Sequence, residues 1–531
     1  MSLATTQNSL ANIKRLMRLG EFEIAHFECA KCLLADHVNV EVRLIMSGLY
    51  YRSGKYQSAV HYALQAEKLL SDSSDWREVL AVSAQLVHLG EEQVALNCMS
   101  FISIQSSKNV PGATDIAKQY QLLEDHKQAL DWLLIAEKHD LNLAQVAELR
   151  GLIYMFEGDL ARSEQELENS IVKHKNTTVS PHFVSSMFGN AQARIERLEK
   201  LSADNTFQMQ DFPYLNYALF KELDSVGHVD RAWEYLLAAA RLRRKEVQYS
   251  SELESIAYDE LINATQNFDF NNSLVNQSVA TPIFIVGMPR SGTSLLESML
   301  ASDARVVACG ELKVMRSQIQ FVLDKKMGNP FDREMIKAIS NLDFSRLGQR
   351  YMEKAGWKAA GKPFLIDKNP SNFNYAGLIL KSMPNAKIIN LVRYPMDVCF
   401  SNLKEIFGPN YYTYSYTQEE CANHYKNYRR LMLHWHQIAP GKILDVAYEN
   451  LVSQPAIELK RVQEFCGLES RPYQEKSRSA EFMSNSASTV QIREPIHTRN
   501  LNGWHRYRKY LSVLEQQLQA ECEYYEKTYL A

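Results

Sequence analysis

Apolar positions in the first half of the chain recur with helical spacing, and the interruptions between them recur as well. Gly20-Glu21-Phe22, Gly54-Lys55-Tyr56, Gly90-Glu91-Glu92 and Gly158-Asp159-Leu160 each follow an apolar-periodic segment; Glu124-Asp125-His126 fills the same slot in a fifth copy. Successive slots lie 34, 36, 34 and 34 residues apart. Five residues after each comes a small residue: Ala25, Ala59, Ala95, Ala129 and Ser163. The glycine or polar residue lets the chain turn between two antiparallel helices, and the small residue lets those helices approach closely. A further copy, Gly227 with Ala232, lies 69 residues beyond Gly158, about two periods on; the segment near residue 190 that should carry the intermediate copy matches poorly. Stacked helical hairpins are the expected outcome.

The texture then changes. Arg241 to Lys245 reads as the basic end of a helix, favourably placed against its dipole. Asn263 to Val279 is rich in Asn, Ser and Gln and reads as a connection. Beyond it, short β-branched runs alternate with helical patterns: Ile283–Val286, Phe364–Ile366, Ile388–Val392 and Ile443–Val446. Such alternation predicts βαβ units around a parallel sheet. The fold expected is α/β, preceded by an all-α repeat array, with the array at 1–262, a linker at 263–280 and the sheet domain at 281–531. The period and the small-residue slots resemble the tetratricopeptide repeat, which implies a solenoid with a concave face.

The first expected strand runs directly into Gly287-Met-Pro-Arg-Ser-Gly-Thr-Ser294, and a helical pattern follows. Strand, glycine-bearing loop and helix form the setting in which backbone N–H groups and a positive helix end converge on an anion. Ser291, Thr293 and Ser294 offer hydroxyl donors, while Gly287 and Gly292 allow close backbone approach. The spacing is that of a phosphate loop, but Thr293 stands where the Walker lysine would be, and Arg290 supplies positive charge from inside the loop. An ordinary capped βα turn is the bland alternative.

Pro289-Arg-Ser-Gly-Thr-Ser294 resembles the 5′-phosphosulfate loop of sulfotransferases, with the nearest similarity to bacterial repeat-bearing members and a more distant one to tyrosylprotein sulfotransferases. The likeness covers about residues 281 to 510. It implies a P-loop-like domain whose donor is PAPS (3′-phosphoadenosine 5′-phosphosulfate), with no metal required. Arg290, Ser291, Gly292, Thr293 and Ser294 would hold its 5′ end. Arg393, at the end of the strand at 388–392, and Ser401, about two turns into the next helix, resemble the family's 3′-phosphate pair. Tyr394 departs from the family's usual Asp. Tyr448 matches a tyrosine near the nucleotide, or is a core tyrosine.

Sulfuryl transfer needs a base for the acceptor proton and a cation at the bridging oxygen. The resemblance gives these roles to Glu311 as base, Lys368 beside the leaving 5′-phosphate, Arg290, and Ser488 near the bridging oxygen. A local ion pair with Lys313 is the alternative for Glu311. Asp367 also fits a Walker-B metal ligand, and Tyr411 to Tyr416 either line an acceptor cleft or cover the core. Ile496 to Trp504 is expected to close over the nucleotide, although Gly503 sits one place later than in relatives.

Composition narrows the setting. A net charge of −3 without charge blocks gives no reason to expect nucleic acid, so an anion site must be built locally. No stretch approaches the ~18 apolar residues of a spanning helix, and Met1 to Gly20 lacks a signal-like apolar core. Eight dispersed cysteines are no disulfide framework, so the expected address is cytoplasmic. His26, Cys29 and Cys32 read as one buried helix face, and His434 and His436, two apart, point away from each other. The repeats could present a protein or peptide acceptor, or mediate a homodimer. A P-loop kinase and a repeat scaffold with an inactive α/β half remain the competing functions.

Overall fold

The computed structural model describes residues 3–189, 192–203, 207–270, 280–328, 333–408, 411–470, 489–493 and 495–530. The described residues up to Thr265 are helices and their turns. Each predicted slot is a hairpin turn. Gly20, Gly54, Gly90, Glu124, Gly158 and Gly227 all have positive φ. At every one the same two bonds close the preceding helix, as in the pair Gly54 N to Tyr51 O (3.2 Å) and Lys55 N to Tyr50 O (3.0 Å). This is the Schellman arrangement, which satisfies the helix's orphan carbonyls. The small residues after the slots, Ala25, Ala59, Ala95, Ala129, Ser163 and Ala232, are fully buried.

A second periodic feature had no sequence signal. Ser47 and Ser83 donate across their hairpins to the carbonyls of Ala59 (2.8 Å) and Ala95 (3.1 Å), and Ser163 donates to Gly151 (2.7 Å). At the poorly matching copy near 190, helices Ser180–Ser185 and Gln192–Ala203 lie on either side of Gly189 in the chain, and Gly189 has φ +63°. Arg194 takes the small-residue slot there and is held by Glu222 and Glu164, both at 2.6 Å. A long charged side chain at that position explains why the copy fails to match.

Packing groups the chain into two compact units, Met1–Val146 with Lys313–Lys354, and Ala147–Leu312 with Ala355–Ala531. The boundaries expected at 262 and 281 follow the change of texture rather than this grouping. In the first unit the turn residue Glu91 is buried and binds Lys354 (2.7 Å) and Arg350 (3.4 Å), and Gln57 donates to the Phe321 carbonyl (2.8 Å).

The second unit contains the sheet: β1 (Thr281–Gly287), β2 (Val306–Ala308), β3 (Phe364–Asp367), β4 (Lys387–Val392) and β5 (Ile443–Ala447). The order is β2-β3-β1-β4-β5 and every pair is parallel. Ile283, Ile285, Leu296, Ile366, Ile389 and Val446 belong to its core. The chain leaves β1 toward β3 and β2, then returns to the other side of β1 for β4. The carboxyl ends of β1 and β4 therefore flank the reversal of strand order, where open α/β sheets collect ligands. Hairpin helices of this unit pack on the sheet region through Lys221–Glu405 (3.0 Å), Arg244–Glu420 (2.8 Å) and Thr265–His434 (2.8 Å). Arg244 in the last turn of Val229–Glu246 thus has a specific partner besides the helix dipole. No helix among the described residues is long and apolar enough to cross a membrane.

Candidate active site

The loop after β1 turns sharply. Gly287, Arg290 and Gly292 have φ of +146°, +68° and +105°. A Cβ on Gly292 would lie 2.4 Å from Cδ2 of Tyr448, so the ring at the end of β5 rests on the loop backbone because nothing projects there. Helix Thr293–Leu300 begins at once, so its N-terminus stands at the loop. Asn402, fully buried beside Ser401, donates to the Pro289 carbonyl (2.8 Å) and ties the next ligand-bearing helix to the loop.

Arg393 leaves the end of β4 and stacks over Tyr448, 4.5 Å from the ring centre. It donates to the carbonyls of Arg290 (3.0 Å) and Asn500 (2.7 Å). Arg290 donates to Gln491 Oε1 (2.7 Å), and its Nε lies 3.5 Å from Ser401 Oγ. Arg290, Gly292, Ser294, Arg393 and Tyr448 line one pocket, roofed by Pro495, Ile496, His497 and Asn500. The roof is anchored: Asp397 accepts from Asn502 N (2.7 Å) and Trp504 N (3.3 Å). The displaced Gly503 therefore leaves the segment tied down.

Two buried polar atoms here, Ser291 Oγ and Arg393 Nε, have no protein partner among the described residues. A buried donor without a partner is costly, and an anion in the cradle would satisfy both. Glu405 lies 3.7 Å from Arg290 and faces Lys221 as well. Burial alone would raise its pKa, but these cations outweigh burial and hold the carboxyl below its ordinary value.

Glu311 and Lys368 form a second group. Lys368 is buried and its Nζ donates to Glu311 Oε1 at 2.6 Å, while the Glu311 side chain stays 44% exposed. Lys368 is thus a cation at Glu311. Burial would lower the Lys368 pKa, but the charges of Glu311 and Glu297 outweigh it and raise it, so the ammonium persists. Glu297 also links the two groups. It projects from the cradle's own helix and accepts from Gly310 N (3.0 Å). Asp367 accepts from Asn372 (3.1 Å) and is fully buried. Ser488 lies outside the described residues.

Several contributors had no motif. Glu449 accepts from Tyr394 N (3.0 Å) and from the Tyr525 hydroxyl, so one carboxylate ties the ends of β4 and β5 to the C-terminal helix Gln519–Tyr525. In the aromatic run, Tyr414 and Tyr416 are buried, and Tyr414 stacks on His424 at 3.5 Å. Tyr412 instead meets Ser371, whose hydroxyl donates to it (3.2 Å). The run therefore divides between the core and a contact with the Pro370–Tyr375 turn. Cys29 and Cys32 are buried, while His434 and His436 face Thr265 (2.8 Å) and Asp445 (2.9 Å) separately, as their spacing implied.

Residues 282–472 match the model of the Sulfotransferase family. An uncharacterized protein of Aquifex aeolicus (strain VF5) is 28% identical over 433 residues, 76% of this chain but 54% of that protein, so the chain spans about half that relative's length. Protein-tyrosine sulfotransferase A of Caenorhabditis elegans is 22% identical over 269 residues, 47% of this chain and 66% of that one. Among solved structures, the sulfotransferase domain from the Synechococcus PCC 7002 olefin synthase is 18% identical, covering 44% of this chain and 90% of that one, with a TM-score of 0.31. The segment carrying the loop, Glu311, Lys368, Arg393, Ser401 and Tyr448 falls within the matched residues, and this part of the chain is a sulfotransferase-family domain.

Proposed function

We propose that the protein transfers a sulfonate group from PAPS to an acceptor hydroxyl. One observation carries the reading: Arg290, Gly292, Ser294 and Arg393 line one pocket, Ser401 Oγ lies 3.5 Å from Arg290, and the buried Arg393 Nε and loop Ser291 Oγ have no partner among the described residues. The loop N–H groups and Ser291, Thr293 and Ser294 would hold the 5′-phosphosulfate. Arg393 and Ser401 would hold the 3′-phosphate, and Tyr448 would face the nucleotide. This two-ended demand separates a 3′,5′-bisphosphorylated donor from ATP, which has no 3′-phosphate.

In the transfer step Glu311 takes the acceptor proton as the acceptor oxygen bonds to sulfur. The S–O bond to the 5′-phosphate breaks, and Lys368 and Arg290 meet the charge that develops on the departing oxygen. Ser488 is assigned beside that oxygen. The acceptor hydroxyl belongs to a protein or peptide tyrosine, a glycan or a small molecule. The repeats would present a chain to the site, in keeping with the name of the C. elegans relative. The test is Glu311→Gln: 3′,5′-ADP binding should be retained while PAPS turnover falls about 100-fold or more. An undiminished turnover removes Glu311 as the base.

A further inference from the structure

Near Glu311 the chain places a phenol that the transfer step has not used. Tyr412 sits at φ +49°, ψ +43°, a left-handed conformation uncommon for a residue with a side chain. It is held there by two elements. Phe407 packs edge-on against its ring, 4.8 Å between centres, and Ser371 donates to its hydroxyl oxygen. Ser371 belongs to the same turn as Lys368, and its own N–H is held by Asn369 Oδ1 (3.1 Å). Asn369 in turn donates to the Leu312 carbonyl (2.9 Å), next to Glu311. A short chain of bonds therefore fixes Tyr412 to both segments that carry the Glu311–Lys368 pair.

The direction of the Ser371 bond matters. Because Tyr412 accepts from Ser371, its own proton is free to donate, and no described residue takes it. Burial, and then the charge of Glu311, raise the phenol's pKa, so it remains a protonated donor across the range in which a carboxylate base works. Tyr411, half exposed, stands 6.5 Å from the Tyr412 ring. Phe407, Tyr411 and Tyr412 thus give this part of the site an aromatic wall suited to a flat ring.

We infer that Tyr412 binds the acceptor oxygen, donating a hydrogen bond to it while Glu311 takes its proton, and that the acceptor is a phenol. The inference rests on the sulfotransferase reading above. The Tyr412 donor steadies the charge on a phenolic oxygen as a charge-assisted bond. Ser371 acts through Tyr412 and is a positioning residue.

The reverse reaction supplies a defined probe. The full chain would be given 3′,5′-ADP and p-nitrophenyl sulfate. The sulfonate passes to the 5′-phosphate oxygen, the aryl S–O bond breaks, and p-nitrophenolate leaves with the bonding electrons. Its colour reports the rate. Tyr412→Phe should lower kcat by about 100-fold, the scale of losing one donor to a developing oxyanion, with 3′,5′-ADP affinity and Tm unchanged. Ser371→Ala should cost less, and the double variant should be no slower than Tyr412→Phe alone, because both act at one oxygen. An unchanged kcat in Tyr412→Phe overturns the role of Tyr412. A wild-type protein that binds 3′,5′-ADP and turns over PAPS yet releases no p-nitrophenolate overturns the phenol. Failure to bind 3′,5′-ADP removes the donor reading itself, before the acceptor is in question.

Discussion

Gly54 and Gly292 both have positive φ, +82° and +105°, yet they are glycines for different reasons. Around Gly54 there is open space: a methyl group added there would meet nothing within 4 Å. At Gly292 the same methyl group would run into the ring of Tyr448, 156 residues away in the chain. The turn at Gly54 asks only for a backbone conformation, and Glu124 meets the same demand at φ +63°; at Gly90, by contrast, a Cβ would lie 2.3 Å from Ser317 Oγ. The anion loop asks for a conformation and an empty volume together. The turns at Gly20, Gly54 and Gly227 are therefore tolerant, while the loop is tied to a distant strand end.

The largest effect that would break this contrast is expected at Gly292. Gly292→Ala must displace Tyr448 from the loop and, with it, the ring under Arg393. Affinity for 3′,5′-ADP should fall about 100-fold, combining overpacking with lost stacking. A calorimetric titration checks this, and undiminished affinity would mean that the ring moves aside without consequence.

The irregular copy supplies the next test. Burial and then the charge of Arg197 lower the His182 pKa from 6.5 to about 4, opposed by Glu168. A group whose pKa is lowered in the folded state contributes stability that is present above pH 6.5 and is lost as pH falls toward 4. His182→Gln should lose about 2 kcal/mol less than wild type over that interval, read from urea unfolding at the two ends. Identical losses would place the acid sensitivity of that interval at other groups, and not at Asp445, which is held at about 2.

Glu449 sharpens the contrast from the ligand side. Glu449→Gln weakens the tie between the ends of β4 and β5 and the C-terminal helix, without touching the pocket. Binding of 3′,5′-ADP should weaken about 10-fold, the value of a bond to a charged group, with Glu311 chemistry otherwise intact. Gly54→Ala should do least. It costs about 1 kcal/mol of stability for the backbone alone and leaves nucleotide affinity unchanged.

These cases also show what could be read in the chain beforehand. The hairpins were legible because a Schellman turn is local: a glycine, a small residue five places on, and a period. The strands were legible from β-branched runs, and the cradle from a loop between strand and helix. Arg393 and Ser401 were named through the resemblance to the family's 3′-phosphate motif, an arginine at a strand end with a serine about two turns into the next helix. The Glu311–Lys368 pair joins residues 57 apart, so sequence offered the nearer Lys313 instead. Asn402, Glu449 and Tyr412 carry no motif, since their partners, Pro289, Tyr525 and Ser371, are set by tertiary packing. Arg194 misled the repeat pattern because a buried ion pair replaced a small side chain.

The most direct test of the donor site is thermal unfolding of the full chain with 3′,5′-ADP or ATP, each with and without Mg²⁺. A ligand present at about 100 times its Kd adds about 2.7 kcal/mol to the folded state. The expected result is stabilisation of that size by 3′,5′-ADP without metal, and little by ATP under either condition. Metal-dependent stabilisation by ATP, with none from 3′,5′-ADP, would contradict a cradle built for a donor carrying both a 5′ and a 3′ group.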